Sequence, residues 1–532
     1  HEDSNAIQEQ PDVNQDTENC VHNDFIRLRK KNVRNFIVSH ININSLQNKF
    51  DELRIILDNN LVDCLFISES KLNSSHPSAR FKVDNYQFYR KDNPHDNGGG
   101  IVCFIRSDIP SYMEELDSHP CENLTIIAHM DNEKWALIGA YRKPSINQSM
   151  INEKLDPLID KCLAITKNVI VLGDMNCDML KLGTNAVRTL CDDLDLVNVI
   201  NKPTCFKSQH GTLLDVILVN SEDKIVSSDV FPCCLSDFHH FITLVLRSNM
   251  MKIGKKSVSY RSYKHFNEEK FNKDLESTPF HAGECLDPED QCYFFTTLFN
   301  EVLDQHAPIK TKIVKKKQNP YMNSEWKKAI FRKHQLYNKY WRCRTQSNWS
   351  NYRKQRNLCQ KLKRSSIRNY MGEKCKTVKS EPKEFWKMMS PLLSDKCKGD
   401  TNIQLLEDDK LISNSKDVAE LFNEKFTTIA NDIGKDSKFF SNTTNHPSFT
   451  LIKEHMSKSD TSTFNFKPTT VNETSKILGA LNPNKAVGYD NIPPKALKSS
   501  REIISPTICN LANNIINSST FPSCLKKAER IN

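Results

Sequence analysis

The sequence predicts an α/β fold in which two β-sheets pack together and helices cover their outer faces. Between residues 32 and 247, short apolar runs rich in β-branched and aliphatic residues are separated by turn residues. This pattern is typical of buried strands. Amphipathic stretches lie between several of these runs, and such a mixture favours a layered α/β architecture. After residue 265 the runs stop and aromatic residues recur at helical spacing, which predicts a mainly helical region.

The individual elements follow from local sequence. Helices are predicted at Phe50–Leu61, where Leu53, Ile56 and Leu57 share one face, and at Met150–Ile165. The apolar runs are bounded by residues that favour turns. The predicted strands are Phe36–Ser39, Cys64–Ile67, Ile101–Ile105, Leu124–Ala128, Ala136–Ala140, Val169–Leu172, Leu214–Leu218 and Phe241–Leu246.

Changes in composition divide the chain into six segments. The polar, acidic N-terminal segment is predicted to be disordered. The chain starts at His1 rather than Met and ends abruptly at Asn532, so we expect a fragment of a longer translation. The segments are a tail (1–31), the α/β sandwich (32–247), a basic linker (248–265), a helical basic connector (266–400), a connector with a helix around Lys416–Asp432 and a polar stretch at Ser437–Thr450 (401–465), and a final segment (466–532).

The connector carries a large positive charge. Between Lys310 and Lys379 there are 22 Lys or Arg and two acidic residues, a net +20 in a chain whose total is +9. Such an excess predicts nucleic-acid binding, whereas a smaller run indicates only a solvated helical face. Aromatic residues at helical spacing predict a hairpin of two packed helices, so we interpret them as core rather than as base-stacking platforms. They include Trp326, Tyr337, Trp341, Tyr352 and Tyr370.

The cysteines and the apolar runs exclude several protein classes. None of the 18 cysteines forms a Cys-x-x-Cys pair, which argues against a zinc cluster or a secreted disulfide framework. The pattern predicts reduced thiols in an intracellular protein. No apolar run approaches the ~18 residues of a transmembrane helix.

Polar residues follow or precede many of the predicted strands, where open sheets present ligand sites. Hydrolysis of a phosphodiester needs a hard cation held by oxygen ligands, a carboxylate near the attacking water, and donors for the charge on phosphate. Each such residue alone is usually a turn or cap residue. The set is Asn42, Asn44, Glu69, Lys71, Tyr141, Asp174, Asn176, Asp215 and Asp237.

In this order the set resembles the endonuclease/exonuclease/phosphatase superfamily, and within it the apurinic-type endonucleases of non-LTR (LINE-type) retrotransposons. The resemblance implies the two-sheet α/β sandwich of that superfamily. The matching stretches are Ile41–Leu46, Ile67–Leu72, Gly98–Val102, Gly139–Pro144, Leu172–Asn176, Gly211–Leu218 and Leu235–Asp237.

The resemblance implies a role for each matching residue. Glu69 would be the main ligand of Mg²⁺ or Mn²⁺, assisted by Asn44 and Asp237, and Asn44 stands where many relatives carry Asp. Asp174 would orient or activate the attacking water, and Asp215 would orient the catalytic histidine. Contacts to the scissile phosphate would come from Asn42, Asn176 and Tyr141.

The catalytic histidine is displaced by one position. The family motif Ser-Asp-His becomes Ser236-Asp237-Phe238-His239 in this chain. Phe238 can donate a hydrogen bond neither to phosphate nor to the Asp215 carboxylate. Either a small backbone shift lets His239 take the role, which we favour, or the site is catalytically impaired.

Near the end of the chain, Leu481–Pro494 resembles the opening motif of retroelement reverse transcriptases. A polymerase needs paired aspartates for two Mg²⁺ ions, and the pairs Asp192-Asp193 and Asp408-Asp409 precede the motif. We therefore expect no reverse transcriptase activity from this chain. The matching residues are Lys485, Gly488, Asp490, Ile492 and Pro493.

Together these resemblances imply a metal-dependent endonuclease that nicks DNA and leaves a 3′-hydroxyl for target-primed reverse transcription. The implied partners are target DNA and, through residues 310–379, the element's own RNA, with nuclear action. Two alternatives stay open: a decayed remnant that only binds nucleic acid, and a phosphatase of the same superfamily, because fold alone does not fix function.

Overall fold

The computed structural model divides the chain into two compact units. The first unit comprises residues 1–254 and 316–429, and the second comprises 255–315 and 430–532. Among the described residues, no helix has the length and apolarity required to cross a membrane. The described residues are 21–94, 98–208, 210–250, 257–313, 319–378, 385–386, 389, 405–407, 410–412, 415–436, 450–452, 454–455 and 466–526.

The first unit contains two mixed six-stranded sheets. The first sheet has the order β11-β12-β1-β2-β4-β3, and the second has the order β5-β6-β7-β8-β10-β9. The strands of the first sheet are β1 Phe36–Asn42, β2 Cys64–Ser68, β3 Tyr86–Lys91, β4 Ile101–Arg106, β11 Ile225–Phe231 and β12 Phe241–Leu246. Those of the second are β5 Ser111–Glu114, β6 Glu122–Met130, β7 Glu133–Tyr141, β8 Asn168–Asp174, β9 Val197–Asn198 and β10 Asp215–Val219.

Helices cover the outer faces of both sheets. The side chains of β1 alternate between two hydrophobic cores. Phe36 and Val38 pack in the core between the two sheets, whereas Ile37 and Ile41 pack in the core between the first sheet and its helices. Because both faces are covered, the central strands are apolar throughout. The helices of this sandwich are α1 Val21–Lys31, α2 Phe50–Asp58, α3 Ser149–Ile165 and α4 Ala186–Asp193, with short 3₁₀ helices at Ser78–Phe81 and Glu222–Lys224.

The first unit also contains a long helical hairpin. Helix α7 spans Ser324–Arg342 and helix α8 spans Gln346–Val378. Tyr337 and Tyr352 are buried between the two helices, with ring centroids 5.3 Å apart. The prediction of a hairpin with aromatic residues in its core is confirmed. Helix α9, Ser415–Asp436, and the paired strands β15 Leu405–Glu407 and β16 Lys410–Ile412 follow.

The second unit is mainly helical. Its core contains Phe271, Phe299, Leu303, Ala496 and Ile504, all nearly or fully buried. Strands β13 Ser257–Arg261 and β14 Ile309–Ile313 pair antiparallel. The helices are α5 Glu268–Glu276, α6 Pro288–His306, α10 Val471–Ala480, α11 Pro494–Ser499 and α12 Arg501–Ser518, with 3₁₀ helices at Phe280–Gly283 and Ser523–Lys526.

The two-sheet fold predicted from the sequence is confirmed, and three local predictions differ. Residues 21–31 form α1, where Val21 and Phe25 are buried, although the whole tail to residue 31 was expected to be disordered. Strand β13 lies inside the segment interpreted as a linker, because it pairs with a distant strand. The remainder of the tail, residues 1–20, and the polar stretch Ser437–Thr450, apart from its last residue, lie outside the described residues.

A buried ion pair ties α1, β1 and β4 together. The Asp63 carboxylate is fully buried and accepts from Arg29 Nη2 at 2.6 Å, from Arg106 Nη1 at 2.7 Å and from the backbone N–H of Ile37 at 2.7 Å. Three donors satisfy this charge, and its loss would leave two guanidinium groups without their central partner.

We predict that Asp63→Ala lowers the free energy of unfolding by about 3–5 kcal/mol, since removing one partner of a buried ion pair leaves uncompensated charge. Urea denaturation measures the effect. Asp108→Ala is the matched control because Asp108 also pairs with Arg106 but its side chain is 36% exposed. Equal losses in both variants would contradict the importance of burial.

Candidate active site

One edge of the sandwich collects the ends of six strands. Strands β1 and β2 are parallel, as are β7 and β8, while β10 and β12 run antiparallel to their neighbours. The C-terminal ends of β1, β2, β7 and β8 therefore meet the N-terminal ends of β10 and β12. This topology gathers polar side chains that are widely separated in sequence.

Asp174 ends β8 and is 1% exposed. The preceding residue is a glycine because a Cβ at Gly173 would lie 1.8 Å from the backbone oxygen of Ala140. The Asp174 carboxylate accepts from Asn42 Nδ2 at 2.8 Å and from the backbone N–H of Asn176 at 3.0 Å. Buried Arg142 donates to the backbone oxygen of Asn176 at 2.9 Å and so fixes the loop that follows.

His239 lies next to both aspartates. Its Nδ1 lies 2.8 Å from Asp215 Oδ2, and its Nε2 lies 3.9 Å from Asp174 Oδ2. Thr204 Oγ1 donates to the same Asp215 oxygen at 2.7 Å. The Asp215–His239 contact points the second imidazole nitrogen towards Asp174.

Backbone hydrogen bonds fix the loop before β12. The Phe238 side chain is 44% exposed, so it leaves the site free. Its carbonyl accepts from the backbone N–H of Phe206 at 2.9 Å, and His240 N–H donates to the Thr204 carbonyl at 2.9 Å. These two hydrogen bonds hold the loop on both sides of His239.

Burial and mutual repulsion set the charges of this group. Burial and the neighbouring Asp215 raise the pKa of Asp174 to about 7. Burial alone would raise the pKa of Asp215, but the His239 imidazolium outweighs it and lowers that pKa. Burial also opposes the charge on His239, yet the Asp215 carboxylate raises its pKa to about 12. At neutral pH the Asp215–His239 pair is therefore ionised, while Asp174 holds a proton more readily than an exposed aspartate does.

Glu69 follows β2 with a left-handed backbone, φ 49°. Its carboxylate accepts from Asn42 Nδ2 at 2.7 Å and from the Tyr141 hydroxyl at 3.0 Å. Burial and the nearby carboxylates raise the pKa of Tyr141, so its hydroxyl keeps its proton and acts as a donor. Asn42 bridges Glu69 and Asp174, and so connects the two halves of the site.

Asn44, Lys71 and Asp237 lie beside Glu69. The Lys71 ammonium donates to Asn44 Oδ1 at 2.6 Å and lies 3.8 Å from Glu69 Oε2. Asn44 Nδ2 lies 3.3 Å from Asp237 Oδ2. The three residues predicted as metal ligands, Glu69, Asn44 and Asp237, therefore lie close together. The Lys71 ammonium already contacts two of them, Asn44 and Glu69.

Two groups of side chains offer ligands for a metal ion. Asp174, Asp215 and His239 present ligand atoms within 4.8 Å of one another, but Asp215 and His239 are already joined by a hydrogen bond. Glu69, Asn44 and Asp237 offer oxygen atoms only, which hard divalent cations prefer. The Lys71 ammonium among these oxygens indicates that they accommodate a cation.

The structure adds site residues to which no role had been given from the sequence. Thr204 anchors Asp215, and Arg142 fixes the Asp174 loop. Glu122 accepts from the backbone N–H of Gly100 at 2.6 Å and from Asn93 Nδ2 at 2.7 Å. His40 is buried, with its Nδ1 3.7 Å from Asp215 Oδ1, and burial lowers its pKa to about 4. Of these four residues, only Arg142 could have been proposed from the sequence, since it lies in the stretch Gly139–Pro144 that resembles the family.

Residues 33–237 match the model of the Endonuclease/Exonuclease/phosphatase family. No curated protein sequence matches the chain. Solved structures with a similar fold include an AP endonuclease from Archaeoglobus fulgidus, at 18% identity over 40% of this chain and 99% of that one, with a TM-score of 0.32.

Two further solved structures each align with 40% of this chain over 99% of their own length. A variant of the 3′ phosphatase NExo from Neisseria bound to product DNA hairpin has 16% identity and a TM-score of 0.32. The endonuclease domain of TRAS1, a telomere-specific non-LTR retrotransposon, has 14% identity and a TM-score of 0.33. Residues 33–237, which lie in the first unit, are therefore similar in sequence to the endonuclease/exonuclease/phosphatase family.

Proposed function

We propose that this domain is a divalent-metal-dependent endonuclease that nicks DNA and leaves a 3′-hydroxyl. The hydrogen bond between Asp215 and His239 carries the proposal, because it aims His239 Nε2 at the space beside Asp174. At that spacing, the carboxylate can accept a proton from water while the imidazolium donates one to a phosphate oxygen. Phe238 does not obstruct them.

Glu69, Asn44 and Asp237 would hold Mg²⁺ or Mn²⁺. The bound ion would polarise the scissile phosphate and stabilise the leaving oxygen. Metal binding requires that the Lys71 ammonium move away from Asn44 Oδ1 or share that oxygen with the ion. Since Asn44 contributes no charge, we expect weaker metal binding than at a site with a third carboxylate.

The remaining roles belong to side chains of the chain itself. Asp174, with its pKa raised to about 7, is suited to take a proton from the attacking water, because a general base works best near the operating pH. The His239 imidazolium donates to a phosphate oxygen and stabilises the charge that grows there. Asn42, Asn176 and Tyr141 supply further donors to the phosphate.

The remainder of the chain supports a retrotransposon context within this proposal. Leu481–Pro494 carries the motif similar to the start of a reverse transcriptase, and its Ile492 is buried in the second unit. The basic segment from residue 310 to 379 would bind the element's RNA, and the enzyme would act in the nucleus. A nick with a free 3′-hydroxyl is what target-primed reverse transcription requires.

A plasmid-nicking assay tests the proposed function. We expect supercoiled plasmid to become open circles with Mg²⁺ or Mn²⁺, and EDTA to abolish the conversion because it removes the metal. Extension of the nicked strand by a DNA polymerase with labelled nucleotides reports whether the new 3′ end is a hydroxyl.

Different results would favour the alternatives. Release of phosphate from a 3′-phosphorylated oligonucleotide, without nicking, would indicate a phosphatase. DNA binding with neither reaction would indicate a remnant that has lost catalysis. Nicks that cannot be extended would refute the role in priming.

A further inference from the structure

The helical hairpin, defined as α7 and α8, packs directly on the endonuclease domain. Lys333 Nζ lies 2.6 Å from Glu52 Oε2, and both side chains are nearly buried. His334 Nδ1 lies 3.2 Å from Cys234 Sγ, which is also buried. A buried ion pair and a buried polar contact require fixed geometry, so the hairpin forms part of this unit's interior.

Further contacts place the hairpin along the loops of the active site. The Asp51 carboxylate, on the helix after the Asn44 loop, accepts from the Tyr321 hydroxyl at 2.9 Å and from Lys363 Nζ at 2.7 Å. At the other end, Tyr337 OH lies 3.3 Å from Nε2 of His240, the neighbour of His239. The hairpin therefore lies beside the helix that follows Asn44 and beside the loop that carries His239.

The turn between the helices contacts Phe206, whose sequence neighbours Cys205 and Lys207 line a cleft. Trp341 packs edge-on against Phe206, with centroids 3.8 Å apart, and Arg344 stacks over Trp341 at 4.4 Å. Phe206 also lies under the Arg344 guanidinium, at 5.9 Å from its ring centroid. Arg344 is exposed, so these rings hold its position while its charge faces water.

The adjacent cleft has a volume of about 580 Å³ and includes the site residue Asn176. Its lining contains two exposed lysines, Lys181 and Lys207, and Cys205. Cys205 is the neighbour of Phe206 and bridges to His239 through its backbone. A polyanion lying in this cleft would thus touch the active site at one end and come close to Arg344 at its rim.

The charge of the hairpin fits such a ligand. From Ser324 to Lys376 the sequence holds 16 Lys or Arg and two acidic residues. Lys333 and Lys363 pair with carboxylates of the endonuclease domain. Arg344 therefore lies in a strongly basic helical hairpin, and such an excess of positive charge attracts polyanions.

We propose that the α7–α8 turn, through Arg344, binds the backbone of the same DNA duplex that the active site cuts. The inference rests on the proposed function for the identity of the substrate. Its chemistry is a phosphate contact, which releases counterions and gives affinity without base specificity. The turn would thereby extend the DNA-binding surface beyond residues 33–237, while the rest of the basic segment would bind the element's RNA.

The test measures binding separately from cutting. The full chain carrying Asp174→Asn, which prevents cleavage, is titrated onto a labelled DNA duplex over a series of salt concentrations. Arg344→Gln should raise Kd about three- to tenfold and reduce the slope of log K against log salt by about 0.9, one phosphate contact. Arg368→Gln, exposed on the far part of α8, removes the same charge and serves as the matched control.

Each outcome decides the proposal. A larger effect for Arg344→Gln than for Arg368→Gln, with unchanged thermal unfolding, supports it. Equal effects overturn it in favour of diffuse attraction, and no effect overturns it outright. An effect on labelled RNA but not on duplex DNA assigns the turn to RNA instead. If the parent protein binds DNA through Arg344 but never nicks it, the proposed function fails while the phosphate contact stands.

Discussion

Asp174→Asn should reduce the rate of plasmid nicking by about 10³-fold, within the range for loss of a general base. The amide keeps the shape of the side chain and its hydrogen bond with the backbone N–H of Asn176. It cannot take a proton. Because burial and Asp215 disfavour the Asp174 carboxylate, the substitution also removes an electrostatic cost from the folded state.

The midpoint of thermal unfolding should therefore stay the same or rise while activity falls. Asp192→Asn makes the same change at an exposed position of α4 and should leave both quantities unchanged. If Asp174→Asn nicked plasmid as fast as the parent, the assignment of the site would be wrong. A loss of activity together with a loss of folding would leave no evidence for a catalytic role.

His239→Ala should lower kcat/KM for nicking by about 10²–10³-fold, the usual cost of losing a donor to a developing oxyanion. Phe238→Ala should change it little, because the Phe238 side chain is 44% exposed and offers no hydrogen-bonding group. The contrast between adjacent residues separates the chemistry of the imidazole from the folding of the loop. Comparable losses in both variants would show that only the loop conformation matters.

The pH dependence of stability gives an independent check on His239. Asp215 raises the pKa of His239 above its unfolded value, so this stabilisation is complete below a pH of about 6.5 and declines as pH rises towards the folded pKa. The difference in melting temperature between parent and His239→Ala should accordingly be larger at pH 6 than at pH 9. A difference independent of pH would indicate that the ion pair is not formed.

The strands that could be predicted from the sequence are those that lie inside the sheets. β1, β2, β7 and β8 have partners on both sides and covered faces, so their sequences are apolar throughout. Edge strands such as β3 and β11 were not predicted, because their partly exposed faces carry residues like Ser228 and Asp229. Helix α1 was missed for a similar reason, since it buries only Val21 and Phe25.

The residues of the candidate site also differ in how far the sequence predicts them. The strand-end residues could be proposed because topology brings strand ends together, and the structure places Asn42, Glu69, Asp174 and His239 at one edge. The roles assigned to them stay predictions until variants are measured. Thr204 could not be proposed, because its contact with Asp215 depends on the path of a loop rather than on any local pattern.

The packing of the hairpin on the domain could not be foreseen either. Its contacts are polar and far apart in sequence: Lys333 and Glu52 are separated by 281 residues. In isolation, Lys333 looks like one more residue of a solvated basic helix. Only the folded chain shows that it is buried against a carboxylate.

The packed hairpin also affects where the chain can be shortened for study. A polypeptide ending near Arg247 would uncover Cys234, Phe206 and His240, which α7 otherwise covers, and newly exposed apolar patches promote aggregation. The family match alone stops at Asp237, two residues before His239. A shortened protein for study should therefore retain the chain through α8.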